Sequence, residues 1–458
     1  MVSLLSSILY PSELKRDKSV LILGLGITGR AACAFFERHE IPVIKFDDLQ
    51  TGCISSSKDI PWSEVSFVVQ SPGINSTHEV VIDAKNRGIV IVSDVDIFVQ
   101  SAANAFFIGI TGTNGKSTTT ALIGHVLKQH FQNVFIGGNI GEPALNLPII
   151  LESNVNVASK MQPLTPIYVL ELSSFQLELS KTLALDIAVL TNMTGDHIDR
   201  HGSIENYVQS KKKIFDKAKL SILCIDDVQS QKIFDELKER QKTYSVSMTH
   251  DADFILNDDR VLTMKDGSRI DISHPRLVGS HNAQNIALAY SVCNHLGIQP
   301  SSFQQDILSF TGLPHRIEVI QEHNGIVFVN DSKATNADST IRALCSFKNL
   351  PIFLIAGGKP KIDGILPAVP YMQNVKEVFL IGSASDRFAR ELGQVKHTFC
   401  HDLGNAISKA IDAATALSCT LQKVILLSPA CASYDQFKNY EERGDVFRLI
   451  VNQVLKHE

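Results

Sequence analysis

"IGITGTNGKSTTTALI" (residues 108–123) sets Gly112-Thr-Asn-Gly115-Lys116-Ser117 between a short apolar run and a stretch rich in Thr and Ala. The apolar run, "AFFIGIT" (105–111), reads as a buried strand, and the stretch after the glycines reads as a helix. A strand that passes through a glycine loop into a helix N-terminus is the layout in which backbone N–H groups cradle phosphates. The strict G-x4-G-K-[ST] spacing is not met, because Ile110 stands where the first glycine belongs. The compact unit Gly112, Thr113, Asn114, Gly115, Lys116, Ser117, Thr118 still supplies the needed chemistry. Lys116 can bridge the outer phosphates of a nucleotide triphosphate, and the Ser117 hydroxyl can ligate Mg²⁺.

Outward from this loop, apolar runs recur, each followed by turn residues and a longer amphipathic segment. A first group is "VLILG" (20–24), "IPVIKF" (41–46), "VSFVVQ" (65–70) and "IVIV" (89–92). The run at 105–111 is joined by "IYVLEL" (167–172), "DIAVLTN" (186–192) and "LSILCID" (220–226). A third group is "GIVFVND" (325–331), "PIFLIAG" (351–357), "EVFLIG" (377–382) and "KVILLSP" (423–429). Continuous apolar strands alternating with helices imply parallel sheets covered on both faces. The expected fold class is therefore α/β in three domains, 1–98, 99–312 and 313–458, the last boundary lying in "TGLPHR" (311–316). The polar stretch 151–166 reads as a surface excursion of the middle domain.

Composition narrows the classes. With 458 residues, 44% apolar and 20% charged, the chain can bury several cores. A net charge of −5 and the absence of a long basic run give no reason to expect nucleic acid. Eight cysteines lie scattered without C-x-x-C pairs and read as reduced core thiols. No stretch reaches the length of a membrane span and the start lacks a basic n-region, so a cytoplasmic protein with no membrane insertion is expected.

A second glycine loop, Gly24-x-Gly26-x-x-Gly29 in "VLILGLGITGRAACAFF", follows the first strand, and the strand at 41–46 ends in Asp47-Asp48. This spacing suits a diphosphate at a helix N-terminus with an acid near a ribose. Alone, it would point to a nicotinamide or flavin enzyme, or to a nucleotide-sensing module. A dehydrogenase has no use for the Lys116 loop, however, and a simple ATPase has none for the Gly24 loop. An enzyme that uses ATP to activate a substrate carrying its own nucleotide handle needs both.

The loop spelling G-T-N-G-K-S-T resembles that of the Mur ligases, and further segments match them in order along nearly the whole chain. They include "SPGI" (71–74), "GNIGEPAL" (138–145), "ELSSFQLE" (171–178), "TGDHIDRHGS" (194–203) and "YVQSKKKIF" (207–215). "GSHNAQNIALA" (279–289), "GLPHR" (312–316), "NDSKATN" (330–336) and "PACASYDQFKNYEERGDVF" (429–447) continue the series. The loop, "HN" at 281–282 and the Arg316 segment are general to such ligases, folylpolyglutamate synthetase included. "NDSKATN" and "ASYDQFKNYEERG" resemble the branch that adds D-glutamate to UDP-N-acetylmuramoyl-L-alanine. The D-N-P-R stretch associated with diaminopimelate or lysine addition is absent.

The resemblance implies a Rossmann-like N-terminal domain for the UDP substrate, a central phosphate-loop domain for ATP, and a Rossmann-like C-terminal domain for the amino acid. It implies an acyl-phosphate reaction in peptidoglycan precursor synthesis, with ATP and two Mg²⁺ ions, by a chain expected to be a monomer. Lys116, Glu171, His197 and Lys211 match the catalytic positions, and Ser117, Glu171, His197 and Lys211 those around the metals. Mg²⁺ favours oxygen, so Glu171 suits it, His197 less so, and an ammonium not at all. Lys211 matches a lysine that these ligases carbamylate. Asn282, Arg316 and Asp331 match contacts to adenine, phosphates and ribose. Gly26, Ile27, Thr28, Asp47, Asp48 and Ser71, with Asn139 and Ser173, match the UDP-substrate site. Lys333, Thr335, Lys361, Ser433 and Tyr440 match the D-glutamate pocket. Tyr440 stands where Phe is expected, so its hydroxyl needs a partner; Lys359 replaces an expected acid, and Gly195 an often larger residue.

Overall fold

All twelve runs expected as strands become strands; they make up the whole first sheet, four adjoining strands of the second and the four inner strands of the third. The computed structural model describes residues 18–102, 104–150, 165–277, 279–360 and 364–455. Lys361 and nearly all of the 151–166 excursion lie outside the described residues.

The first sheet is wholly parallel, in the order Val43–Phe46, Ser19–Leu23, Val65–Gln70, Ile91–Val92. The chain leaves Ser19–Leu23 toward one neighbour and later returns to the other. That reversal opens a crevice beyond the carboxyl ends of Ser19–Leu23 and Val65–Gln70, where ligands of such sheets bind. Helix Ile27–Arg38 starts at this point.

The second sheet has nine strands. From one side it runs Val134–Gly138 at the edge, then Ile167–Glu171, Phe106–Thr111 and Leu185–Leu190, all parallel. Ala218–Cys224, Thr243–Ser247 and Phe254–Leu256 extend it in parallel, and Val261–Met264 and Arg269–Asp271 close it antiparallel. Ile108, Ile110, Val169, Leu170, Val189 and Leu190 have no exposed surface. Truncating any one of the isoleucines or leucines among them to alanine should cost roughly 2–5 kcal/mol. The register pairs Ile110 with Glu171, which puts that carboxylate at the mouth of the strand that feeds the phosphate loop.

The third sheet, of six strands, runs Glu318–His323, Ile326–Asn330, Lys423–Leu427, Ile352–Gly357, Val375–Ile381, His397–His401. Only its first pair is antiparallel. The four- and nine-stranded sheets belong to one compact unit, and the six-stranded sheet to a second.

Helix Asp94–Ser101 leads from the first sheet into the second, and position 98 falls inside it. Asp96 fastens it: its carboxylate accepts from Ser180 Oγ at 2.7 Å and from the backbone N–H groups of Lys181 and Thr182 at 3.1 Å each. The cysteines are less uniform than expected. Cys33, Cys224, Cys293, Cys400 and Cys431 are buried and Cys53 is half-buried, but Cys345, in the last turn of helix Ala337–Ser346, and Cys419, just after helix Leu403–Ala416, are exposed.

Candidate active site

Two glycines of the phosphate loop have conformations that only glycine adopts readily. Gly112 has φ 147°, and a Cβ there would lie 1.9 Å from Thr191 Oγ1; Gly115 has φ 84°, and its Cβ would lie 2.3 Å from Asn285 Oδ1. The segment after strand Leu185–Leu190 clamps the loop. Asn192 O accepts from Thr113 N at 2.9 Å, Asn192 Oδ1 from Asn114 N at 3.0 Å, and Thr194 O from Thr113 Oγ1 at 2.8 Å. Ser117 and Thr118 are buried at the start of helix Lys116–His130.

Two lysine amines converge on one carbonyl. Lys116 Nζ donates to Gly112 O and to Thr113 O, each at 3.0 Å. Lys211 Nζ donates to the same Gly112 O at 2.7 Å and to Thr111 Oγ1 at 3.3 Å. Lys211 is only 2% exposed and lies over the ring of Tyr207, one turn earlier on helix Ile204–Lys212. Burial holds its amine well below the usual lysine range, and the Lys116 charge pushes the same way.

Glu171 is buried, and its Oε1 accepts from Asn139 Nδ2 at 2.7 Å. His197 is exposed, begins a short helix in a left-handed conformation (φ 53°), and lies 3.5 Å from Asp196 Oδ2. Among the described residues no three His, Cys, Asp or Glu side chains converge as a metal cage. A Cβ on Gly195 would meet only Ile204, at 3.8 Å, so glycine is not required there.

The crevice of the first sheet is a cavity of about 490 Å³. Gly26, Ile27, Thr28, Asp47, Ser71 and Asn139 line it. Gly29 serves packing, since a Cβ would lie 1.8 Å from Gly24 O, whereas nothing stands within 4 Å of a Cβ on Gly26. Ile27 is 71% exposed at the helix start. Asp47 braces the loop: its carboxylate accepts from Leu25 N at 2.6 Å and Leu49 N at 3.0 Å, and the Leu25 N–H above all holds its pKa down. Ser71 Oγ donates to Gly24 O at 2.7 Å. The two other expected residues do not line this cavity. Asp48 pairs with His78 at 2.9 Å, and Ser173 caps helix Ser174–Leu179 in a reciprocal box with Gln176. Gln176 does line the cavity, and the sequence reading had not singled it out.

In the second compact unit, Asp331, Lys333 and Ser433 gather beyond the carboxyl ends of Ile326–Asn330 and Lys423–Leu427, and Lys359 beyond that of Ile352–Gly357. Asp331 is buried, which pushes its carboxyl up to about 7; Ser428 Oγ and Ile317 N donate to it at 2.8 and 3.2 Å. Thr335 turns the chain back through its N–H to Lys333 O at 2.8 Å. Arg316 sits between two residues in the left-handed region, His315 at φ 63° and the β-branched Ile317 at φ 44°. Such strain persists only where neighbours over-determine it. Here Glu318 Oε2 accepts from His315 N at 2.9 Å, and His315 O accepts from Lys333 N at 3.0 Å. Asn282 is buried in the first turn of helix Ser280–His295.

Sequence reasoning missed the parts that hold these groups. Asn192, Thr194, Asn285 and Glu318 carry no chemistry by spelling. Signals existed for Thr194, which opens the matched "TGDHIDRHGS", and for Asn285, which follows Asn282 by one helical step in "HNAQN".

Three parallel-rich α/β sheets, with a phosphate loop on the central one and a glycine-loop crevice on the first, define a nucleotide-binding enzyme of several lobes. Residues 110–293 match the Mur ligase middle domain, and 315–431 match the Mur ligase glutamate ligase domain. A UDP-N-acetylmuramoylalanine--D-glutamate ligase of Rhodospirillum rubrum is 40% identical over 86% of this chain and 83% of its own length. Its counterpart from Rickettsia bellii is 37% identical over 95% of this chain and 98% of its own. The crystal structure of MurF ligase from Thermotoga maritima in complex with ADP shares the fold, with a TM-score of 0.61 at 19% identity over 95% of this chain and 96% of that one. The chain belongs to the Mur ligase family.

Proposed function

We propose that this chain joins D-glutamate to UDP-N-acetylmuramoyl-L-alanine at the expense of ATP, a step in making peptidoglycan precursors. The observation that carries the ATP-dependent chemistry is the meeting of Lys116 and Lys211 on the Gly112 carbonyl, with Glu171 at the end of the adjoining strand. The choice of substrates is supported by the relatives at 37–40% identity, whose names state them.

A carboxylate does not react with an amine at neutral pH, because its oxygen is a poor leaving group. In the proposed reaction the substrate carboxylate attacks the γ-phosphorus and ADP departs. The amine of D-glutamate then attacks the acyl carbon, loses a proton, and phosphate leaves. The protein's part is to position the groups and balance their charge. Lys116 and the N–H groups opening helix Lys116–His130 would hold the phosphates. Ile27 and the Gly26 backbone would receive the UDP end, and Asn282, Arg316 and Asp331 would serve the nucleotide. Lys333, Thr335, Ser433 and Tyr440 would bind D-glutamate, together with Lys361.

The donors fit Mg²⁺ on one condition. Ser117 and Glu171 offer oxygens, and Mg²⁺ keeps waters and phosphate oxygens rather than demanding a full protein cage. An ammonium at Lys211 would repel it. A neutral Lys211 amine that bonds to CO₂ and releases a proton becomes an anionic carbamate, and burial favours the neutral amine that this requires. Ser117, Glu171 and carbamylated Lys211 would then hold the ions, with His197 at the margin. When bound, Mg²⁺ neutralises the phosphate charge.

We also propose that 1–98, 99–312 and 313–458 serve as UDP-substrate, ATP and amino-acid domains. ADP formation with UDP-N-acetylmuramoyl-L-alanine and a panel of D- and L-amino acids tests the whole reading. Selective turnover with D-glutamate supports it. Turnover with another amino acid, or with a folate acceptor, would reassign the chain within the family.

A further inference from the structure

Tyr440 opens helix Tyr440–Val454, and its hydroxyl accepts a hydrogen bond from Lys333 Nζ at 2.9 Å. The ammonium also lies 4.7 Å from the centre of the tyrosine ring. Both partners are mounted on rigid backbone. Ser332 Oγ donates to the Tyr440 carbonyl at 2.8 Å, and Asn439 caps the helix by accepting from Glu442 N at 2.8 Å. One turn on, the fully buried Arg443 donates to Ser332 Oγ at 2.9 Å and to Ser332 O at 2.8 Å. The residue before Lys333 is thus tied to the helix that carries Tyr440.

A lysine side chain gives up rotamer freedom when its head is fixed, and a partner that fixes it in advance removes part of that cost before a ligand arrives. A phenylalanine ring could pack against the lysine stem but could not hold its ammonium. We infer that Tyr440 is a positioning and specificity residue of the amino-acid site. Its hydroxyl sets the pose of the Lys333 ammonium and stands beside it as a second polar group toward the substrate's side-chain carboxylate, the group that D-glutamine replaces by an amide. This inference rests on the pocket reading given above. A carboxylate, which only accepts, matches an ammonium flanked by a hydroxyl. A side-chain amide brings one uncharged acceptor oxygen in place of two charged ones, so it answers the ammonium and the hydroxyl less well, and its N–H₂ adds a donor to a site already built of donors.

The experiment is steady-state ADP formation by the full chain with D-glutamate and D-glutamine, comparing the parent, Tyr440→Phe, Lys333→Met and the double variant. Tyr440→Phe keeps the ring, and an unchanged melting temperature and KM for ATP show that the fold is intact. The expected result is a KM for D-glutamate about tenfold higher with kcat within about twofold, and a preference for D-glutamate over D-glutamine that falls about tenfold. In the Lys333→Met background the Tyr440→Phe change should add almost nothing, because the two residues act as one unit. An unchanged KM and preference in Tyr440→Phe overturns the inference while leaving the D-glutamate reading in place. So do effects of the two substitutions that simply multiply. If the parent instead turns over a different acidic amino acid, the substrate reading fails on its own. The same variants are then assayed with that amino acid and its amide, and an unchanged KM there overturns the role of Tyr440.

Discussion

The loops at 24–29 and 112–118 share one plan, a buried parallel strand running through glycines into a helix, yet they are built to opposite ends. The phosphate loop is closed by its surroundings: Thr191, Asn192 and Asn285 crowd its glycines, and Lys116 folds back on its carbonyls. The loop at 24–29 is closed only toward the protein, where Gly29 meets Gly24 O, and open toward the cavity at Gly26 and Ile27. A site that handles phosphate charge needs fixed dipoles that cost nothing to reorganise. A site that holds a nucleotide handle needs room and an apolar surface. Shared glycine spelling therefore fixes the backbone path, and the clamping residues decide what the path is for.

Removing charge from the closed loop should have the largest effect. Lys116→Ala should slow ADP formation by about two to four orders of magnitude, a barrier increase of about 3–5 kcal/mol. Calorimetric affinity for the UDP substrate should stay near the parental value. Parental ADP formation in this variant would erase the distinction between the loops. Lys211→Arg keeps a cation but cannot carry a carbamate. It should be nearly inactive in turnover while retaining ATP binding by equilibrium dialysis, whereas Lys212→Arg, at a half-buried side chain paired with Glu236, should be mild. Full turnover by Lys211→Arg would remove the carbamate from the mechanism.

Paired glycine substitutions sharpen the contrast. Gly115→Ala forces a Cβ into Asn285 at a positive φ and should lower turnover about 10–100-fold, with a melting temperature several degrees lower. Gly26→Ala meets open space, so its melting temperature should match the parent's and only the KM for the UDP substrate should rise. Equal destabilisation of the two would show that the loops are built alike. The smallest effect is expected at the cavity rim. Ile27→Ser gives up apolar contact with a bound ligand worth at most about 1.5–3 kcal/mol. Its KM for the UDP substrate should rise several-fold while the KM for ATP stays put.

Strands covered on both faces were legible because they must be apolar throughout. Strands toward the edges of the two larger sheets were not. "VFIGG" at 134–138, "EVIQEH" at 318–323 and "HTFCH" at 397–401 each keep one side or end in water, and their patterns are too mixed to announce a strand. The site divides in the same way. Lys116, Ser117, Gly26 and Lys333 stand in spelled motifs, and the structure finds them at strand ends as the motifs require. That Lys211 is buried against the phosphate loop could not be read from three consecutive lysines, since only tertiary packing makes one of them differ from the others. The partner of the Tyr440 hydroxyl lies 107 residues away in sequence, beyond the reach of any local pattern.

The helix at 94–101 has a practical meaning for anyone dividing the chain. A fragment ending at residue 98 would cut it after its first turn and leave Val95, Ile97 and Phe98 without the core that covers them. Asp96 would lose the two hydroxyls and the two N–H groups that now meet it from residues 180–182 and keep only Ser93, beside bare apolar surface. Such a piece should aggregate on expression, and limited proteolysis of the intact chain should spare this stretch. The first two sheets form one compact unit, to be moved, swapped or truncated together.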